Sequence, residues 1–309
     1  MLSQADFVGP WAGPPVAWND DDTFDEATYR ADLQRLCDLG LPGIYTAGTT
    51  GEFYAMEFDE WQLITGVTIE VCQANKMPVM IGCTSTYTLG AARRAVHAAE
   101  AGADAIQLAL PFWMALEDQQ VVPFFQEVSE ACAHLPLSIY DVHRTKKPLS
   151  IALHRAVKDA LPNYMMVKTG GSTPAASPEG CRALAEFVSV FVGENLWAEL
   201  CPLGANGACS SLVYWNPRVT MELWKNVQAK DWPAVQRTCG KFKALYGFWD
   251  KAFAGRGFLD SAADRLGGVA AGVLKTSLRC RAPYPSATPE DVETLRRGYA
   301  EHFPEMLQL

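Results

Sequence analysis

Apolar positions along the chain fall into short runs separated by longer stretches in which they recur with helical spacing. The first run, Pro14 to Trp18, passes through an acidic turn at Asn19 to Asp22 into a segment that puts Tyr29, Leu33, Leu36 and Cys37 on one helical face, stopped by Gly40. The run from Gly43 to Ala47 is followed by a helix whose buried stripe is Ile64, Val67 and Val71. Further runs at Val79 to Gly82, Ala105 to Leu110, Leu137 to Tyr140, Tyr164 to Lys168, Val188 to Gly193 and Gly207 to Ser210 follow. Between them lie helical patterns at Thr88 to Ala101, around Val121 to Cys132, and at Ile151 to Ala160. These eight runs, each apolar enough to be buried on both faces, predict an α/β fold of the (β/α)8 TIM-barrel type. The alternative is an open doubly wound sheet, which calls for a glycine-rich dinucleotide loop after the first strand; none follows Val16. After about Trp232 only helical patterns remain, at Val235 to Phe253 and Pro289 to His302. The expected organisation is a barrel over residues 1–231 and a C-terminal helical extension over 232–309.

Composition narrows the function classes. The 309 residues are 49% hydrophobic and 20% charged, a globular balance with ample length for a core. A net charge of −9 disfavours nucleic acid and acidic membrane surfaces as partners. The longest uncharged stretches are broken by Gly, Pro and hydroxyl residues, and the N-terminal segment carries Asp6 with no basic start before an apolar run. The expectation is therefore a cytoplasmic protein without a membrane span. Nine scattered cysteines without a CxxC pair read as small buried hydrophobes and suggest neither a disulfide framework nor a zinc site.

In a barrel of this kind the chemistry belongs at the C-terminal ends of the strands. The second strand exits into Gly48-Thr49-Thr50-Gly51-Glu52, which reads either as a cradle of hydroxyls and backbone N–H groups for a carboxylate or as a tight turn with Glu52 near a helix start. The sixth strand closes on Lys168 before Thr169, Gly170 and Gly171. An ammonium is costly to bury and tends to lose its proton, and a neutral amine attacks a ketone to form a Schiff base. The competing reading has Lys168 just beyond the buried zone and pointing to solvent. The fifth strand ends at Tyr140, with His143 and Arg144 in the loop beyond. Tyr140 can relay protons and Arg144 can hold a carboxylate, or both are rim packing. His143 reads either as a solvated loop residue or as an acid or base near neutral pH, with the former favoured.

Taken together, the GTTGE loop, Tyr140 in Tyr140-Asp141-Val142-His143-Arg144-Thr145, Lys168 at its strand end and Gly204-Ala205-Asn206-Gly207 make the chain resemble the dihydrodipicolinate synthase / N-acetylneuraminate lyase family of Schiff-base aldolases. The resemblance covers almost the whole chain. It implies that Lys168 forms an imine with a 2-oxo acid such as pyruvate and that Tyr140 shuttles protons. It implies further that Thr49 and Thr50 bind the substrate carboxylate, with the Thr50 hydroxyl available to the proton relay. Gly193 and Ser210 match positions that line the family's pocket. A homotetramer is implied, and neither a metal nor an organic cofactor.

Three departures affect the second substrate. Where lysine-pathway members carry Pro-Tyr-Tyr, with the second tyrosine reaching a neighbouring subunit's site, this chain has Pro111-Phe112-Trp113, without a hydroxyl to complete that relay. The loop that carries Arg144 is one residue shorter than the family's, and Thr169 replaces the acidic residue common after the lysine. The imine side of the pocket is retained and the aldehyde side, including Trp113, is altered. This favours a lyase, aldolase or dehydratase, acting on pyruvate or a hydroxylated 2-oxo acid. Its alternatives are a genuine 4-hydroxy-tetrahydrodipicolinate synthase of lysine biosynthesis and a non-catalytic 2-oxo acid binding protein.

Overall fold

The structure is a computed structural model that describes residues 2–171 and 173–308. Its strands and helices alternate as β1 (Gly9–Ala12), α1 (Glu26–Asp38), β2 (Ile44–Thr46), α2 (Phe58–Ala74), β3 (Val79–Gly82), α3 (Thr88–Ala101), β4 (Ala105–Leu108) and α4 (Asp118–Ala131). They continue as β5 (Leu137–Asp141), α5 (Ile151–Ala160), β6 (Tyr164–Thr169), α6 (Pro178–Ala185), β7 (Ser189–Phe191), α7 (Trp197–Leu200) and β8 (Ala205–Ser210). Five helices follow: α8 (Leu212–Trp215), α9 (Pro217–Gln228), α10 (Trp232–Ala252), α11 (Asp260–Ala271) and α12 (Pro289–His302). The eight strands close into a barrel in sequence order, which establishes the (β/α)8 architecture and excludes the open doubly wound sheet. Among the described residues no helix is long and apolar enough to cross a membrane.

By packing, the chain divides into two compact units, Met1–Gly9 with Pro78–Cys209, and Pro10–Met77 with Ser210–Leu309. In the first, β3 to β8 pair in parallel, and Ile81, Ile106, Leu137, Val167 and Val190 are buried on strands covered by helices. Helix α3 buries Ala91, Ala95 and Ala98, small residues on one face, and ends at Gly102, whose φ of 92° places it in the left-handed region. Close approach at the end of the barrel demands Gly207: a Cβ there would lie 2.5 Å from the Gly9 carbonyl oxygen and 2.7 Å from the Phe191 ring.

The second unit holds β2 and most of β1, joined at Ala12 and Ile44. Asp25 caps α1 by accepting from the Thr28 N–H at 3.0 Å, and Tyr29, Leu33, Leu36 and Cys37 are its buried face, as the periodicity predicts. The first strand is displaced from its expected place. It runs over Gly9–Ala12, while Pro14 to Trp18 is buried but irregular, because two consecutive prolines have no N–H to give to a ladder. The late helices α10 and α12 occupy the two expected segments within about three residues. Helix α11, which the sequence reading did not single out, packs glycines against aromatic rings: a Cβ on Gly267 would come within 2.2 Å of the Trp215 indole.

Candidate active site

In the first unit, Tyr140 and Lys168 are the penultimate residues of β5 and β6, and the sheet register pairs them directly. Both are half-buried, and the Lys168 Nζ stands 4.2 Å from the centre of the Tyr140 ring. The lysine therefore turns toward its strand neighbour instead of standing alone in solvent. Two residues earlier on each strand, and so on the same face, are Ser138 and Met166. The Ser138 hydroxyl donates to the Met166 sulfur at 3.2 Å and accepts from the Gln107 amide at 3.3 Å. Gln107 also reaches the Cys209 sulfur at 4.0 Å. Burial pushes that thiol up to about 11, against the opposing pull of the Lys168 charge. Lys168 thus sits near a layer of buried polar and sulfur groups in which Cys209 is an electrostatic neighbour.

The residues around this pair are distributed unevenly. Gly193 is exposed just beyond β7 and starts a short turn in which its carbonyl accepts from Leu196 at 2.9 Å. Arg144 is exposed in the turn His143–Thr145 together with His143. Trp113 is 73% exposed; the Lys146 ammonium donates to its carbonyl at 2.7 Å and lies 5.5 Å from its ring. Two carboxylates passed over in the sequence reading are nearly buried here. Glu194 follows Gly193 directly. Asp141 follows Tyr140 and accepts from the Leu149 N–H at 3.0 Å, with its other oxygen 3.5 Å from His154 Nε2. His154 in turn contacts the Tyr164 hydroxyl at 2.8 Å, and burial above all, with Asp141 adding, pushes that phenol well above its ordinary value. Their signal was position alone: each is an acid immediately after a strand-end residue already singled out.

In the second unit the GTTGE segment is a tight turn with buried side chains. Glu52 immediately precedes the short helical turn Phe53–Ala55, lies in the left-handed region at φ 54° and is fully buried. It accepts from the Trp18 indole N–H at 2.8 Å and from the Arg281 backbone N–H at 3.1 Å, and forms an ion pair with Arg265 of α11, itself fully buried. Arg265 also donates to the Thr276 hydroxyl at 3.2 Å. This set of partners over-determines the unusual backbone of Glu52. Thr49 and Thr50 are both buried, and the Thr50 hydroxyl donates to the Asp264 carboxylate at 2.6 Å. Ser210 is buried; its hydroxyl accepts from the Val213 N–H at 3.2 Å and its carbonyl from Gly13 at 3.4 Å. Among the described residues no group of three or more His, Cys, Asp and Glu side chains is arranged to hold a metal ion.

The molecule is a closed (β/α)8 barrel in which a lysine and a tyrosine pair at adjacent strand ends. The chain belongs to the dihydrodipicolinate synthetase family, whose model matches residues 7–247. Among curated relatives, the 4-hydroxy-tetrahydrodipicolinate synthase of Koribacter versatilis is 27% identical over 285 residues, covering 91% of this chain and 91% of that protein. Among solved structures, a catalytic-lysine mutant of the Ruminococcus gnavus sialic acid aldolase superimposes with a TM-score of 0.85 at 15% identity, covering 100% of this chain and 99% of that one. A prophage protein of the dihydrodipicolinic acid synthase family from E. coli K12, in complex with pyruvate, gives a TM-score of 0.81 at 21% identity over 96% of this chain and 98% of that one.

Proposed function

We propose that the protein is a Schiff-base lyase in which Lys168 forms an imine with pyruvate or a hydroxylated 2-oxo acid. The observation that carries this reading is the lysine amine held 4.2 Å from the Tyr140 ring at paired strand ends. In the reaction the Nζ lone pair attacks C2 of the 2-oxo acid. The carbonyl oxygen takes up protons and leaves as water, with Tyr140 as the proton shuttle. The protonated imine then accepts the electron pair released when a bond at the neighbouring carbon breaks, as an enamine. That sink serves aldol cleavage, condensation and dehydration alike. Family membership supports a lyase, and two similar structures are described by a catalytic lysine and by bound pyruvate.

Thr49 and Thr50 are assigned to the substrate carboxylate, and Gly193, Ser210, Arg144 and Trp113 to the substrate's surroundings, on the strength of the family motif. A barrel over residues 1–231 with a helical extension, a homotetrameric assembly and a cytoplasmic location complete the proposal. A pure binding protein is disfavoured, because binding alone needs neither a nucleophilic amine nor a paired phenol. The lysine-pathway synthase is disfavoured by Trp113, whose indole N–H can donate but cannot shuttle a proton.

Intact-mass measurement after borohydride reduction with pyruvate tests the reading. The wild type is expected to gain one reduced pyruvate adduct and Lys168→Ala none, with its fold unchanged. An adduct of equal yield on Lys168→Ala sinks the assignment. Condensation of pyruvate with aspartate semialdehyde is expected to be slow or undetectable; turnover in the ordinary range of about 1 to 1,000 per second would restore the lysine-pathway reading.

A further inference from the structure

Asp141 carries a buried carboxylate at the point where β5 ends. Tyr140 and Asp141 are consecutive on that strand, so their side chains leave opposite faces, the tyrosine beside Lys168 and the aspartate, 2% exposed, against α5. The Asp141 Oδ1 accepts from the Leu149 N–H at 3.0 Å and so draws the loop of residues 142–148 back onto the strand end. The Asp141 carbonyl accepts from the Gly170 N–H at 2.8 Å, two residues beyond Lys168. One residue therefore ties down both loops that leave the paired tyrosine and lysine.

The second carboxylate oxygen meets a buried relay. Oδ2 faces His154 Nε2 at 3.5 Å, and neither atom has a hydrogen bond elsewhere. His154 Nδ1 lies 2.8 Å from the Tyr164 hydroxyl, and both of these residues are fully buried. Burial above all pushes the Tyr164 phenol well above its ordinary value, so it keeps its proton, and a buried O–H needs an acceptor. Nδ1 is that acceptor, which leaves the imidazole proton on Nε2, facing Asp141. Donation thus runs in one direction, from Tyr164 through His154 to Asp141. Stability alone does not ask for a carboxylate here, since apolar side chains of similar volume commonly pack as well as a buried polar pair.

Building on the Schiff-base reading, we infer that Asp141 is a positioning residue for Tyr140, oriented in turn by His154. It fixes the end of β5, so that the phenol stays aligned with the amine through the steps that expel the carbonyl oxygen. A misplacement of about 1 Å can slow such a step about a hundredfold. The Asp141 side chain lies on the face of β5 turned away from Lys168, so it makes no contact with a 2-oxo acid held at that amine. Asp141 then governs the rate of imine formation and not the affinity for the 2-oxo acid.

The time course of borohydride-trapped pyruvate adduct, followed at several pyruvate concentrations, separates these two quantities. Asp141→Asn keeps an acceptor for Leu149 but sets an amide against the His154 N–H. It is expected to slow adduct formation about tenfold while the half-saturating pyruvate concentration stays within about threefold of wild type. Because Asp141 acts through Tyr140, adding Asp141→Asn to Tyr140→Phe is expected to slow the reaction no further. His154→Ala is expected to match Asp141→Asn, and His154→Gln, whose amide N–H can reach the same carboxylate oxygen, to recover most of the rate. That pair carries the test if Asp141→Asn does not fold. A wild-type rate in Asp141→Asn or His154→Ala, a rise in half-saturation without loss of rate, equal losses in His154→Ala and His154→Gln, or a loss that multiplies with Tyr140→Phe would each overturn the inference. A wild type that forms no adduct overturns both this and the Schiff-base reading; a normal wild-type adduct with an indifferent Asp141→Asn overturns this one alone.

Discussion

Tyr140 is where the chemistry of a single residue can be isolated most cleanly. Its ring packs beside the Lys168 amine and its backbone is held in register with the neighbouring strand, so loss of the hydroxyl removes the proposed proton carrier and leaves the ring contact in place. Tyr140→Phe is expected to retain the fold and to slow turnover by roughly two to four orders of magnitude, the usual scale for a lost general acid/base. Steady-state rates beside a thermal melt check this, and turnover within a few-fold of wild type would assign the phenol to packing. Lys168 was visible in the sequence because a cation closing an apolar strand is expensive unless it has work to do. Asp264 was not. It lies 214 positions from Thr50, and an aspartate in an ordinary helix carries no local mark of the partner it will meet after folding. The burial of Glu52 is equally illegible from sequence, since its partner Arg265 is as remote along the chain.

Elements were legible to the extent that their ends carry local signals. The bounds of α5 and α12 follow from Ser150 and Thr288, which cap them by accepting from Leu153 and Asp291 backbone N–H groups. Strands of three or four residues offer no such signal, and β1 was placed too late because the apolar run around Pro14 and Pro15 outweighed the shorter stretch before it. The contact between α11 and the GTTGE loop belongs to the same scale, and its energetic weight can be measured. Arg265 and Glu52 are both fully buried, so removing one partner strands a charge in the interior. Arg265→Met is expected to lower unfolding stability by about 3 to 5 kcal/mol, whereas the double variant Glu52→Gln/Arg265→Met should recover a large part of that loss. Urea unfolding of the wild type and the two variants decides it. A double variant no more stable than Arg265→Met would show that the pair's hydrogen-bonded neighbours, and not the unpaired charge, dominate.

At the scale of the whole molecule, the net charge of −9 sets a general background of self-repulsion near neutral pH, on which particular carboxylates impose their own acid limits. Glu60 is one of them. The Arg281 guanidinium binds both its oxygens, at 2.5 and 2.7 Å, and this hydrogen bonding above all holds the carboxyl below its usual value. The same guanidinium donates to the Asp22 and Ala55 carbonyl oxygens and lies 3.8 Å from the Trp18 ring centre, so two separate stretches of chain, 18–22 and 55–60, converge on it. A carboxyl whose folded pKa is depressed contributes stability that is complete above its unfolded value, about 4.3, and is lost as pH falls through the folded value. The stability difference between the wild type and Glu60→Gln should therefore be constant from pH 7 down to about 5 and shrink steadily below about 4.3. Urea midpoints of the two proteins at matched pH measure it directly. A difference that persists undiminished at pH 3 would mean that Arg281 is held by the two carbonyls and the Trp18 ring without help from the Glu60 charge.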